Sequence, residues 1–210
     1  MNEAEWMTCS DPTALLDFLH GRASDRKLRL FACAGCRRFR HCLDLGHDQA
    51  AVDIGEQIAD GNAPRVEHAD AHVRCYDLDL AEEDAYFPAL GTVNIAEVNA
   101  AGAMGDGHPA SVYRAAEAQE RRLLCKLLQD VVSNPFTSTA IRRSWLTWKD
   151  GAIPKMAQLI YDDRAFDRLP LLADALEDAG CTDADILAHC RSGGEHVRGC
   201  WVVDLLLGKS

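Results

Sequence analysis

Apolar residues recur at helical spacing along nearly the whole chain, and no other feature of the sequence constrains the fold as strongly. Between residues 24 and 44, for example, Leu28, Phe31, Gly35 and Phe39 fall on one stripe of a single helix. Runs of alternating apolar and polar residues, which would indicate half-buried strands joined by hairpin turns, are lacking. The sequence therefore predicts an all-α fold: a compact, bundle-like domain of roughly seven to nine helices.

The chain is long enough to bury a hydrophobic core of its own, since it has 210 residues and 48% of them are hydrophobic. We expect a single helical domain over residues 1–210. Residues 88–108 are rich in Gly, Ala and Asn and only weakly periodic, which predicts a flexible internal connection. Residues 164–210 read as a C-terminal module of short helical segments that carries several Cys and His residues.

The formal net charge of -11 argues against general affinity for DNA, RNA or an anionic membrane, because phosphate binding needs an excess of Lys and Arg over a sizeable face. The N-terminal stretch MNEAEWMTCSDP has neither the basic nor the apolar region of a signal peptide. No apolar run approaches the roughly 20 residues that span a bilayer. The sequence therefore predicts a cytoplasmic protein without membrane contact.

The chain contains nine cysteines, and without an export signal we expect reduced thiols, most of them buried. The C-terminal module also offers metal ligands, because Cys181, His189, His196 and Cys200 follow the spacing C-x7-H-x6-H-x3-C, with Cys190 next to His189. Thiolate and imidazole bind zinc tetrahedrally, and one helix could supply both His196 and Cys200. Zinc sites usually begin with a close cysteine pair, which is lacking here, so packed core thiols are the favoured interpretation and zinc is the alternative.

The helix predicted over residues 24–44 is rich in arginine, and Arg37, Arg38 and Arg40 lie near its end. Such a patch could contact nucleic acid or an acidic partner. In a chain this acidic, pairing with Asp and Glu side chains of the same molecule is the favoured interpretation.

Two tryptophans, Trp145 and Trp148, fall in a predicted loop. Large aromatic side chains of this kind can anchor a protein partner. More often they cover the core of their own domain.

Several segments resemble an abundant but functionally uncharacterised bacterial family, in which the same terminal module closes many otherwise different multidomain proteins. They include NEAEW and SDRKLRLFACAGCRR near the start and LADALEDAGC, ILAHCR and HVRGCWVVDLLLGK near the end. The resemblance covers both ends of the chain well and residues 64–107 poorly. It implies no established activity. It does imply Cys181, His189, His196 and Cys200, ahead of Cys190, as the candidate ligands of zinc.

The sequence contains no nucleophile elbow, P-loop or Rossmann glycine pattern, so it identifies no catalytic residues. Our hypothesis is a non-enzymatic interaction or accessory module inside the cell, with another protein as its partner and zinc near the C-terminus as the candidate cofactor. One alternative is a metal-dependent or thiol enzyme that uses the C-terminal Cys and His residues. The other is a nucleic-acid-associated regulator that uses the arginine-rich helix.

Overall fold

The computed structural model describes residues 1–38, 46–62, 74–75, 78–80, 84–102 and 109–210. Within these ranges the chain forms eleven α-helices, two short 3-10 helices and one pair of two-residue strands. The all-α class predicted from periodicity is confirmed. The predicted number of helices is too low, because very short helices such as Glu3–Thr8 and Arg143–Thr147 have too few turns to show a periodic stripe.

The chain divides into two compact units, Met1–Gln129 and Asp130–Ser210. This differs from the single domain expected from the sequence. No Pro-, Gly- or Ser-rich linker marks the boundary, so the composition gave no sign of it.

The first unit contains helices α1 to α5 and most of α6. Asn2 and Glu5 form a capping box at the start of α1, and Asp11 caps α2 by accepting hydrogen bonds from two backbone N–H groups. Helix α3 packs against both α4 and α5, and its residues 28–36 are buried. The bounds are α1 Glu3–Thr8, α2 Pro12–Leu19, α3 Asp25–Arg38, α4 Gly46–Ala59, β1 Arg74–Cys75, β2 Leu78–Asp79, α5 Tyr86–Gly102 and α6 Ala110–Val131, with β1 antiparallel to β2.

Helix α5 occupies most of the segment whose composition predicted a flexible connection over residues 88–108. Its residues Thr92, Val93 and Ala96 are at most 1% exposed, so the helix has a fully buried face. Small residues give a weak periodic signal but let neighbouring helices approach closely. Residues 103–108 lie outside the described part of the chain.

The second unit contains five helices and a core to which all five contribute. The bounds are α7 Arg143–Thr147, α8 Ala152–Asp163, α9 Leu169–Asp178, α10 Ala184–Arg191 and α11 Trp201–Leu207, with 3-10 helices at Trp148–Asp150 and Phe166–Arg168. Asp183 caps α10 through two backbone N–H groups. The predicted C-terminal module, residues 164–210, falls within this unit. Its buried core includes Trp145, Ile153, Ile160, Tyr161, Leu172, Leu176, Ile186, Cys190, Val203 and Leu206.

None of the helices in the described ranges combines the length and the apolar character that a membrane span requires.

Candidate metal centre

Among the residues that the structure describes, four side chains of the second unit converge closely enough to hold a metal ion. They are Asp130 near the end of α6, His189 on α10, His196 in the following loop and Cys200 at the N-cap position of α11. One ligand atom of each lies within 4.8 Å of the others. Three of the four, all except Asp130, were candidates from the sequence.

The loop between α10 and α11 brings these side chains together. Its backbone is tied to the Asp130 carboxylate, because the N–H of Val197 donates to Oδ2 at 3.0 Å. Gly199 has a φ of 97°, which side-chain-bearing residues rarely adopt, and the Cys200 N–H then donates to the Val197 carbonyl at 2.9 Å. This turn directs the Cys200 side chain inward just before α11 begins.

The Asp130 carboxylate is the centre of the group, and its side chain is only 4% exposed. Its Oδ1 lies 2.5 Å from Nδ1 of His196 and 3.1 Å from Nε2 of His189. Because a carboxylate only accepts hydrogen bonds, both ring nitrogens donate to it. Burial alone would raise the pKa of Asp130, but the hydrogen bonds from His189 and His196 outweigh it and hold that pKa below its ordinary value.

The pKa of His196 is shifted in the opposite direction, upwards. Burial lowers its pKa, but the hydrogen bond and the charge of Asp130 outweigh burial and leave the pKa raised. Its second ring nitrogen, Nε2, lies 3.1 Å from Oγ of Ser192 and 3.4 Å from the Ser192 carbonyl oxygen.

Cys200 is completely buried, and its Sγ lies 3.2 Å from Nε2 of His189. Burial, with a further contribution from the Asp130 charge, raises the pKa of the Cys200 thiol well above its ordinary value. A neutral, inaccessible thiol is a poor nucleophile. Beside an incoming cation, the same sulfur would become a thiolate ligand.

His189 lies between Cys200 and Trp201. The indole Nε1 of Trp201 donates to Nδ1 of His189 at 3.0 Å, and the two rings are 5.0 Å apart between centroids. His189 also meets the His196 ring edge-on, with 4.8 Å between centroids. The orientation of His189 is therefore fixed on three sides.

The donor types suit a tetrahedral metal ion, and the four ligand atoms converge within 4.8 Å of one another. Zinc bound by nitrogen, oxygen and sulfur places neighbouring donor atoms about 3.3–3.6 Å apart. The separations of 3.1 and 3.2 Å from His189 lie just below that range. The 2.5 Å between Asp130 and His196 lies well below it, because a hydrogen and not a metal ion joins these two atoms in the metal-free protein. His196 could donate its Nε2–H to the Ser192 carbonyl while Nδ1 binds the metal, which is the usual outer support of a histidine ligand.

Cys181, the fourth ligand expected from the sequence, is not part of this group. It is 3% exposed and belongs to the hydrophobic core of the second unit, as does Cys190. Asp130 takes the fourth position instead. It stands on another helix far upstream, and a lone Asp near a helix end carries no sequence signal for metal binding.

The other predicted interaction residues are engaged within their own units. In the first unit, Arg37 pairs with Asp53 at 2.5 Å and with Glu56 at 2.8 Å, and Arg38 pairs with Glu120 at 3.1 Å. Arg40 lies outside the described residues. The pairing agrees with the favoured interpretation of the arginine-rich helix.

Of the two tryptophans, Trp145 belongs to the buried core of the second unit and Trp148 packs against that core. Trp145 is 2% exposed, and Trp148 is partly buried against the same core. Trp145 lies on the short helix α7 and not in the predicted loop, and it is the buried residue of that helix.

The chain matches no protein-family model, no curated protein and no solved structure. The resemblance to the bacterial family stays an expectation from the sequence.

Proposed function

We propose that the second unit is a metal-binding helical module in which Zn²⁺, held by Asp130, His189, His196 and Cys200, stabilises the fold. The observation that carries this proposal is the convergence of four ligand atoms within 4.8 Å of one another, supplied by three helices and a loop. Asp130 lies far from the other three in sequence, so the proposal does not depend on their short spacing along the chain.

The chemistry of the donors selects the class of metal. Thiolate and imidazole favour zinc and similar transition metals, whereas Ca²⁺ and Mg²⁺ require oxygen ligands. The group offers only one carboxylate, from Asp130. A hard cation would therefore find too few oxygen donors at this position.

The number of ligands and their burial favour a structural metal over a catalytic one. Catalytic zinc keeps a coordination position open to water, whereas four protein ligands complete a tetrahedron. Asp130 and Cys200 are 4% and 0% exposed, which leaves little access for a substrate. The raised pKa of the Cys200 thiol likewise argues against a thiol enzyme.

For the role in the cell, we propose an accessory or interaction module with a protein partner. The resemblance to a terminal module of multidomain proteins supports this role. The nucleic-acid alternative is less well supported, because Arg37 and Arg38 already bind carboxylates of their own unit.

The decisive experiment measures metal content of the purified full chain by elemental analysis, before and after chelation and after reconstitution with Zn²⁺ or Co²⁺. We expect stoichiometric metal, and Co²⁺ should give the visible absorption of a tetrahedral site with a thiolate ligand. Zinc at about 100 times its dissociation constant should raise the free energy of unfolding by about 2.7 kcal/mol.

Two matched cysteine variants make the test specific. Cys200→Ser should lose the metal, whereas Cys190→Ser should retain it, since Cys190 is equally buried but outside the group. Absence of stoichiometric metal after reconstitution would contradict the proposal. So would equal metal binding by the two variants.

A further inference from the structure

The hydrogen bond between Trp201 and His189 fixes where His189 carries its proton. An indole nitrogen is only a donor, so Nδ1 of His189, 3.0 Å from Nε1 of Trp201, must present its lone pair. A neutral imidazole then has its hydrogen on Nε2. That hydrogen points towards two acceptors, because Nε2 lies 3.1 Å from Oδ1 of Asp130 and 3.2 Å from Sγ of Cys200.

A metal ion needs the opposite arrangement. Nε2 is the His189 atom that faces Asp130 and Cys200, and it can bind a cation only through its lone pair. The hydrogen of the neutral ring must then stand on Nδ1. Two N–H groups, of His189 and Trp201, would point at each other across 3.0 Å, and no hydrogen bond could form between them.

His196 has no such conflict. Its Nδ1 faces the group, and its Nε2 faces the carbonyl oxygen and the hydroxyl of Ser192, which can accept a hydrogen. The two histidines of the site therefore differ in how well their second ring nitrogen is supported when a metal is bound. His196 also carries a hydrogen on the nitrogen that faces the group, but Ser192 can accept the hydrogen that stands on Nε2 once a metal is bound, whereas Trp201 offers Nδ1 of His189 no acceptor.

We infer that Trp201 regulates metal uptake at this site by holding His189 in the tautomer that cannot bind a metal. This inference rests on the proposed metal-binding function. When a metal binds, the hydrogen of His189 moves from Nε2 to Nδ1, the ring stays neutral, and the Trp201 indole gives up its hydrogen bond. Cys200 releases its thiol proton and His196 its Nδ1 proton to solvent. Trp201 is the first residue of α11, so metal occupancy is transmitted directly to the start of that helix.

The size of the effect follows from the bond that is lost. A net hydrogen bond contributes about 0.5–1.5 kcal/mol, which corresponds to a roughly three- to tenfold change in affinity. Trp201 therefore lowers the metal affinity by about that factor. The indole N–H of Trp201 should also report metal occupancy, because its environment changes on binding.

The first arm of the test determines the tautomer of His189 in the metal-free full chain by long-range ¹H–¹⁵N NMR. The His189 signals are assigned by their loss in His189→Gln. We expect an unprotonated Nδ1 and a protonated Nε2, and addition of Zn²⁺ should reverse them and shift the Trp201 indole N–H resonance. A protonated Nδ1 in the metal-free protein would overturn the inference whether or not the protein binds metal.

The second arm measures Zn²⁺ affinity by competition with a chelator for wild type, Trp201→Phe and Trp148→Phe. The Phe side chain keeps a ring but has no N–H, and circular dichroism checks the fold of each variant. Trp201→Phe should bind about three- to tenfold more tightly than wild type, and Trp148→Phe should match wild type. Equal or weaker binding by Trp201→Phe overturns the role of Trp201 alone. Absence of binding by all three proteins overturns the proposed metal function, and the role of Trp201 with it.

Discussion

The Asp130 carboxylate and the His196 imidazole are 2.5 Å apart, Oδ1 to Nδ1, and their side chains are only 4% and 7% exposed. The shifts of both pKa values favour the charged forms, carboxylate and imidazolium. The pair ties the first residue of the second unit to the loop that precedes α11. It therefore stabilises this loop even when no metal is bound.

Replacing Asp130 by Asn tests the buried pair in the metal-free protein. The amide has nearly the same shape but no charge, and its NH₂ group would face one of the present donors. Removing one partner of a buried ion pair typically lowers the free energy of unfolding by about 3–5 kcal/mol. We expect a loss in that range for Asp130→Asn, measured by urea unfolding in the presence of a chelator.

Asp174→Asn is the matched control. Asp174 also pairs with a cation, Arg191 at 2.8 Å, but its side chain is 68% exposed. Exposed pairs contribute about 0–1 kcal/mol, so this variant should unfold almost like wild type. Similar losses for the two variants would show that the burial of Asp130 has no special energetic effect.

The candidate site divides into a part that the sequence could predict and a part that it could not. His189, His196 and Cys200 lie close together along the chain, so spacing made them candidates, together with Cys181 and Cys190. Asp130 joins them only through tertiary structure. Cys181 had an equally suitable spacing, but its side chain packs in the core, and no local rule distinguishes a core thiol from a ligand.

The helices, too, could be predicted from the sequence only in part. A stripe of large apolar residues identified α3, because Leu28 and Phe31 give a strong periodic signal. Helix α5 buries Thr92, Val93 and Ala96 instead, and its small and polar residues favour a loop when read locally. The helix packs against α3, and the sequence read locally does not reveal that contact.

Arg37→Ala tests whether the arginine-rich helix acts within its own unit. The Arg37 guanidinium bonds to Glu56, whose side chain is 2% exposed, and to Asp53. Hydrogen bonds to charged groups contribute about 1.5–3 kcal/mol each, so we expect a loss of at least 2 kcal/mol in the free energy of unfolding. Urea unfolding followed by circular dichroism measures it.

The control for this variant is Arg122→Ala. Arg122 lies on α6 and is exposed, so its replacement should change stability by less than about 0.5 kcal/mol. Binding to double-stranded DNA, measured at low and high salt, should be equally weak for wild type and both variants. Salt-sensitive binding by wild type that Arg37→Ala abolishes would instead support the nucleic-acid alternative.

Trp145 provides a test of the core of the second unit. Its side chain is 2% exposed, so Trp145→Ala should create a cavity and lower the free energy of unfolding by about 3–5 kcal/mol. Within the described residues its Nε1 has no hydrogen-bond partner, so Trp145→Phe removes no hydrogen bond and should lose less than half as much. Denaturant unfolding measures both. A change below about 0.5 kcal/mol for Trp145→Ala would indicate an exposed residue, available to a partner.

The close approach of α3 and α5 gives a prediction for the first unit. A Cβ atom added to Gly35 would lie 2.1 Å from Cγ2 of Thr92, far inside van der Waals contact. Gly35 is helical, so the backbone itself accepts alanine, and only this contact opposes it. Overpacking of a core typically lowers the free energy of unfolding by about 1–3 kcal/mol, and we expect Gly35→Ala to fall at the upper end.

A second substitution shows whether the contact with Thr92 is the cause. Thr92→Ser removes Cγ2 but keeps Oγ, which donates to the Pro88 carbonyl at 2.9 Å. Serine at position 92 should therefore relieve most of the effect of Gly35→Ala, and the two changes should be less destabilising together than the sum of their separate effects. Urea unfolding of wild type, the two single variants and the double variant gives the coupling free energy. Additive effects would mean that α3 and α5 are not in close contact at Gly35, and α5 would then lose its main support as a packed helix.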